Sequence, residues 1–325
     1  MDKEKGLDIE VSSTTLGYEG KGGNVGAFTA FSEELLSKDR YTDIVVSNAL
    51  EFKEKTEEII PNAEFGVSVL ASAINPKRMK GLISSIDYPY SIKWGMGFIK
   101  EKIDFNYKGR ESGFKEDILF AQDMAYAMLQ APSDKVQEKT TLRASEYAKN
   151  DPVKIRTCIH TVSLEEELRK IKKINNEISD KGKNVIWVIE PNRKIGDGTL
   201  ESFLNTLEQI KRDNPSLSFG IDLDMGGLVK EQQTLLGVLD KLDSNDLLPV
   251  YISLSGKEET RDNVRTHLPL NLGYQIEGNI LLGRWLHNMQ SKGKKIPGIV
   301  VETNPSQKDV LDDYMEFLKK LKIYY

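Results

Sequence analysis

The sequence predicts an α/β protein of the (β/α)8 barrel class, on three observations. Short apolar runs rich in β-branched and aromatic residues alternate with segments of helical period, most regularly from residue 154 onward. Two of these runs, Val185 to Glu190 and Ser218 to Asp224, flank a helical stretch in which Leu200, Phe203, Leu204, Leu207 and Ile210 recur at helix spacing. That strand–helix–strand unit implies parallel strands joined by a crossover. Finally, eight strand starts are read near residues 7, 43, 65, 155, 185, 218, 249 and 298, each followed by a helix. A closed barrel of such units takes about 250 residues, which leaves room within one domain, 1–325, for an irregular insertion between the third and fourth strands.

The elements follow in order. Leu7 to Ser12 reads as the first strand and runs into the glycine-rich stretch Gly17 to Gly26. That stretch lacks both GxGxxG spacing and a Gly-Lys-Ser/Thr signature, so a loop at the barrel mouth is expected there rather than a phosphate cradle. Phe28, Phe31, Leu35 and Leu36 mark a helix, Asp43 to Ser47 a second strand, Phe65 to Leu70 a third, and Met79 to Ile86 another helix. Residues 87–113 are aromatic and glycine-rich without a clear period, and are expected to form an insertion or lid. Within it Trp94 is a candidate platform for a sugar ring, and equally a residue that packs the insertion onto the body. Helices are expected over 117–130 and 133–149, then a strand from Ile155 to His160. Ser163-Leu-Glu-Glu166 has the spacing of a capping box and opens a helix with Leu164, Leu168, Ile171 and Ile174 inward. Further on come a helix over Gln232 to Leu242, a strand over Val250 to Leu254, a helix over Ile280 to Met289, a strand over Gly298 to Glu302, and a last helix capped by Ser306.

Composition narrows the function classes. Hydrophobic residues make up 39% and charged residues 29%, as in a soluble globular chain. No run of about 18 apolar residues occurs, so no membrane partner is expected. The net charge of −5 argues against a nucleic-acid partner. A single cysteine, Cys158, rules out an internal disulfide and suggests a reducing, cytoplasmic setting. A homo-oligomer is left open.

The chemistry-bearing positions lie where the last strands end. Glu190, Asp224, Ser253 and Glu302 close successive strands and so fall at one mouth of a parallel barrel. Three carboxylates in one cavity repel each other unless positive charge sits between them. A divalent cation with all-oxygen ligation, Mg or Mn, is the usual answer. Asp222, two residues before Asp224, shares its face, and a shifted register would make it the ligand instead. His267, placed in the loop after the seventh strand, can reach the same mouth. His160 can bind a substrate hydroxyl or serve only as a hydrogen-bonded residue at a strand end. His287 falls in a helix and reads as structural, and Lys93, Lys183 and Arg284 have no functional position legible from sequence.

In Val188-Ile-Glu190-Pro-Asn, Gly220-Ile-Asp-Leu-Asp224-Met-Gly-Gly-Leu, Thr266-His267-Leu-Pro-Leu-Asn-Leu-Gly273 and Gly298-Ile-Val-Val-Glu302-Thr, the chain resembles the xylose-isomerase-like barrels, over roughly residues 150–305. The resemblance implies a sugar or polyol isomerase or epimerase. It implies Glu190, Asp224 and Glu302 as ligands of one divalent metal; His267, from its position, is a further candidate. It also implies Glu190 and Glu302 as the pair that moves protons; read from their own positions, His160, His267 and Trp94 are the candidate substrate contacts. Two departures stand out. Ser253 takes the place where the family ends its seventh strand on histidine, and Gly226-Gly227 stands where many members have Gly-His. They motivate an alternative: a catalytically degenerate barrel that binds a carbohydrate or a protein partner without turnover.

Overall fold

The fold comes from a computed structural model that describes residues 6–18, 38–70, 91–94, 153–158, 164–180, 185–190, 200–224, 235–244, 249–259, 264–270, 275–303 and 310–324. Its strands are β1 (Asp8–Ser12), β2 (Glu64–Leu70), β3 (Ser91–Trp94), β4 (Val153–Cys158), β5 (Val185–Glu190), β6 (Phe219–Asp224), β7 (Tyr251–Leu254), β8 (Gly256–Glu259), β9 (Val264–Leu268) and β10 (Gly298–Val301). Its helices are α1 (Ser13–Leu16), α2 (Lys38–Ile59), α3 (Leu164–Ser179), α4 (Leu200–Asp213), α5 (Leu235–Ser244), α6 (Gln275–Ser291) and α7 (Val310–Tyr324). The order β1-β10-β7-β6-β5-β4-β3-β2 closes a barrel in which neighbours pair in parallel. β8 and β9 form a separate antiparallel ribbon.

Alternation along each strand decides what lies inside. Ile9, Val11, Trp187, Ile189, Ile221, Leu223, Ile252, Leu254, Ile299 and Val301 form one continuous core with helix residues such as Phe203, Val238 and Leu286. The residues between them face the lumen. There Val188, Tyr251 and Val300 form a second, small apolar cluster, flanked by Ile186 and Val250. The lumen core is thus small and gives way to polar side chains near the strand ends: Glu10, Ser12, Ser68, Asp222 and Ser253 are all buried.

The helices seal the outside with paired polar atoms. The Trp187 indole N–H donates to Asn175 on α3 at 3.0 Å. On the far side, Phe52 of α2 stacks on Tyr314 of α7 with centroids 4.7 Å apart, and the Tyr314 hydroxyl meets the Thr56 hydroxyl at 2.7 Å. Both partners of that contact come from the first and last long helices, so it ties the two ends of the barrel together.

Three expectations are corrected here. Asp43 to Ser47 is not a strand but part of α2. Its three β-branched or apolar residues look strand-like in isolation, but Tyr41, Val45, Ala49, Phe52 and Thr56 are fully buried at helical spacing and the longer period wins. Conversely, Ser91–Trp94, inside the stretch read as an insertion, is a barrel strand between β2 and β4. Four residues beside Pro89 and Gly95 are too short to show a period. His267, expected in a loop, lies on β9. The helices expected near 28–36, 79–86, 117–130 and 133–149, the rest of 87–113, the two cap residues Ser163 and Ser306, and His160 lie outside the described residues. Among the described residues, no helix is long and apolar enough to cross a membrane.

Candidate active site at the barrel mouth

Glu190 is the last residue of β5, Asp224 the last of β6, Ser253 the third of β7's four, and Glu302 the residue after β10. Parallel pairing sends all these strand ends to one mouth. Two strands, β6 and β7, separate β5 from β10, so Glu190 and Glu302 come from flanks of the mouth that are not adjacent.

Asp222 is completely buried, whereas Asp224 is half-buried. The Ser253 hydroxyl, itself buried, donates to Asp222 Oδ1 at 2.9 Å. The register explains the contact: Asp224 pairs with Ser253 and Asp222 with Tyr251 on the same face of β6 and β7. Both aspartates therefore lie on the lumen side, and Asp222 is the deeper one.

Below them Tyr251 runs along the inner face of the barrel wall, from β7 past β10 to β1. Its ring passes over Gly298, where an added Cβ would meet ring carbons at 3.0 Å, and its hydroxyl donates to the buried Glu10 carboxylate on β1. Only a residue without a side chain at 298 leaves that path open. The Tyr251–Glu10 pair lies in the lumen with the small apolar cluster of Val188 and Val300. Sequence reading missed Glu10, because one acid in a strand of alternating polarity carries no signal of its own.

Glu302 is held by its backbone. Its N–H donates to Leu254 O at 2.9 Å, prolonging the β10–β7 ladder by one rung. Thr15, on α1, fixes the residues on either side. Its hydroxyl oxygen accepts from Thr303 N–H at 2.8 Å and lies 3.3 Å from Val301 O and 3.1 Å from Thr303 O, between which its single proton is shared. Thr15, Glu302 and Thr303 are all buried, so this clamp sets where the Glu302 carboxylate leaves the backbone. The α1 segment is in turn anchored by the Tyr41 hydroxyl on Ser13 O at 2.7 Å and by Asn48 on Leu16 O at 2.7 Å. Burial pushes the Tyr41 phenol up, well above its ordinary range.

A divalent cation needs several oxygen or nitrogen donors converging on one point. Among the described residues, no three His, Cys, Asp or Glu side chains come together closely enough to hold a metal. Asp222 has one oxygen engaged by a serine proton, and the histidine position is Ser253. The side chains of Glu190 and His267 lie outside the described ones. Of the candidate substrate contacts, Trp94 ends β3 and His267 lies on the β8–β9 ribbon. His287 sits exposed on α6.

Comparison with known proteins places the architecture. The sequence matches no protein-family model, and no curated protein matches it. Among solved structures, a xylose isomerase-like TIM barrel protein from Mycobacterium smegmatis, in complex with magnesium, is similar over 100% of this chain and 99% of its own, with TM-score 0.51 and 9% identity. A xylose isomerase domain containing protein from Salmonella typhimurium is similar over 100% and 97%, with TM-score 0.46 and 12% identity. The likeness is one of fold: the chain, like the first of these proteins, is a TIM barrel.

Proposed function

We propose that the protein is a sugar or polyol isomerase or epimerase that moves a proton between substrate carbon and two glutamates, Glu190 and Glu302. The observation that carries the reading is the position of these acids at the carboxyl ends of β5 and β10, two strands that are not neighbours in the barrel. Chemistry in such barrels sits at that end. One carboxylate takes the proton from the carbon next to a carbonyl, and the C–H electron pair moves through the new C=C bond onto the carbonyl oxygen. The other glutamate returns a proton to the opposite face, and exchange with water resets the pair. Trp94, His160 and His267 are the proposed substrate contacts. A single domain, 1–325, in a cytoplasmic setting completes the reading. Mg or Mn is the cofactor implied by the resemblance; Glu190, Asp224 and Glu302 would hold it, and it would supply stabilisation of the enediolate oxygens.

The test is hydrogen exchange in D2O. The protein is incubated with a panel of ketoses and inositol ketones, and loss of the α-C–H signal is followed by NMR. Exchange that disappears in Glu190→Gln and in Glu302→Gln supports the mechanism. Full exchange in both variants would remove it.

Ser253 at the histidine position favours a second reading, a barrel that binds a carbohydrate or a protein partner without turnover. Its signature is ligand-induced thermal stabilisation with no exchange.

A further inference from the structure

β1 and β10 pair in register as far as Val11 and Val301. β1 ends at Ser12 and the chain turns into α1, so Glu302 lies one residue past that ladder. In a parallel ladder, the residue opposite position 302 would accept from the N–H of 303 and donate to the carbonyl of 301. The Thr15 hydroxyl takes that role. It accepts from Thr303 N–H at 2.8 Å and lies 3.3 Å from Val301 O. A side chain thus stands in for one residue of strand. The two groups it meets belong to the peptide planes on either side of the Glu302 Cα. One hydroxyl therefore restrains both backbone torsions of Glu302, and with them its Cα–Cβ direction. On the other flank, the Glu302 N–H donates to Leu254 O at 2.9 Å. Alternation from Val300, which faces the lumen, puts position 302 on the same face.

Thr15 needs support to hold this place, because a helix of four residues has no stability of its own. α2 supplies it from outside the barrel. The Tyr41 hydroxyl donates to Ser13 O at 2.7 Å. Asn48 Nδ2 donates to Leu16 O at 2.7 Å and to Tyr18 O at 2.9 Å. Tyr41 is fully buried, and a Cβ at Gly17 would meet its ring at 2.4 Å, so the ring is seated without slack. The contacts run without a gap from α2, through α1, to the two peptides that flank Glu302.

We propose that Thr15 is a positioning residue for Glu302: its hydroxyl fixes the direction in which the carboxylate leaves β10, and α2, through Tyr41 and Asn48, fixes Thr15. A carboxylate that moves a proton to or from carbon must be held close to that proton, and a misplacement of about 1 Å costs about 100-fold in rate. The consequence for turnover rests on the isomerase reading above; the fixing of Glu302 stands without it.

The experiment compares wild type with Thr15→Val, Thr15→Ser and Phe203→Leu, a core change on α4 that lowers stability by itself. The first readout is coupling of glycine ethyl ester to Glu302 by a water-soluble carbodiimide, mapped by peptide mass spectrometry. It reads how open the carboxylate is and needs no substrate. In Thr15→Val, labelling of Glu302 should rise at least about fivefold, while Thr15→Ser and Phe203→Leu should stay within about twofold of wild type. The second readout is exchange of ketose α-hydrogen with D2O. In Thr15→Val, kcat per folded molecule should fall about 100-fold with KM within about twofold, and Thr15→Ser should restore most of it. A merely structural role would leave kcat per folded molecule as in Phe203→Leu. Labelling of Glu302 in Thr15→Val no faster than in Phe203→Leu overturns the proposal, as does an unchanged kcat per folded molecule. Should Thr15→Val fail to fold, Tyr41→Phe, which removes only the hydroxyl on Ser13 O, should raise Glu302 labelling about threefold; no rise there overturns it. Absence of exchange in wild type with every ketone removes the isomerase reading and leaves the positioning to be decided by the labelling.

Discussion

Replacing Thr15 with valine keeps the shape of the side chain and removes only its hydroxyl. The buried Thr303 N–H then loses its acceptor at 2.8 Å, and the carbonyls of Val301 and Thr303 lose a shared donor. An unsatisfied buried N–H costs about 1–3 kcal/mol and the lost hydrogen bond about 1 more, so the expected loss is roughly 2–4 kcal/mol. For a chain of 325 residues, unfolding entropy near 0.7 kcal/mol per degree converts this to about 3–6 °C in Tm. The effect should also be local. In hydrogen–deuterium exchange the Thr303 amide should open about 30-fold faster if 2 kcal/mol of its protection is lost, while α3 and α4 should change little. Thr15→Ser, which keeps the oxygen, should restore most of the protection. If Thr15→Val unfolds within about 0.5 kcal/mol of wild type and Thr303 exchanges no faster, the clamp on Glu302 is not a stabilising feature and the reasoning fails.

Gly298→Ala should destabilise by about 1–3 kcal/mol in urea melts, because the added Cβ meets the Tyr251 ring at 3.0 Å and that ring is tethered to Glu10. Tyr251→Leu in the same chain should absorb much of that cost, and equal costs in both backgrounds would contradict it. Stability should also fall in base. Burial raises the Tyr41 and Tyr314 phenols in the folded chain, so above the unfolded value of about 10 the unfolded state loses protons that the folded state keeps. Each tyrosine then removes about 1.4 kcal/mol per pH unit, and below that range neither contributes a slope. Tyr41→Phe should flatten the alkaline limb by one such increment; an unchanged limb would show that its hydroxyl does not titrate on unfolding.

Legibility in the sequence followed the length of the pattern. β5, α4 and β6 were readable because a buried parallel strand is a nearly continuous apolar run and an amphipathic helix of 14 residues repeats its period several times. Asp43 to Ser47 misled because three residues of Ile-Val-Val suit either structure, and the decision came from Tyr41, Phe52 and Thr56 on either side. Ser91–Trp94 was invisible for the opposite reason: its place in the barrel is fixed by β2 and β4, not by its own four residues. The strand-end acids were legible because each ends an apolar run. Glu10, Thr15 and Tyr251 were not, since what joins them is proximity across the barrel wall, and sequence spacing holds no record of it.

The seam between β1 and β10 has a consequence for how the chain matures. Ile9 pairs with Ile299, and Thr15 reaches Val301 across 286 positions. During synthesis β1 therefore leaves the ribosome long before the strand that completes it, and until then one of its two edges presents unpaired amides and carbonyls. A nascent chain that stalls before residue 298 holds an open sheet with sticky margins, a natural target for chaperones that bind extended segments. Pairing at such sequence separation raises the contact order, which slows folding. The same strand that delivers Glu302 to the mouth thus serves as the latch that ends the chain's exposure to aggregation.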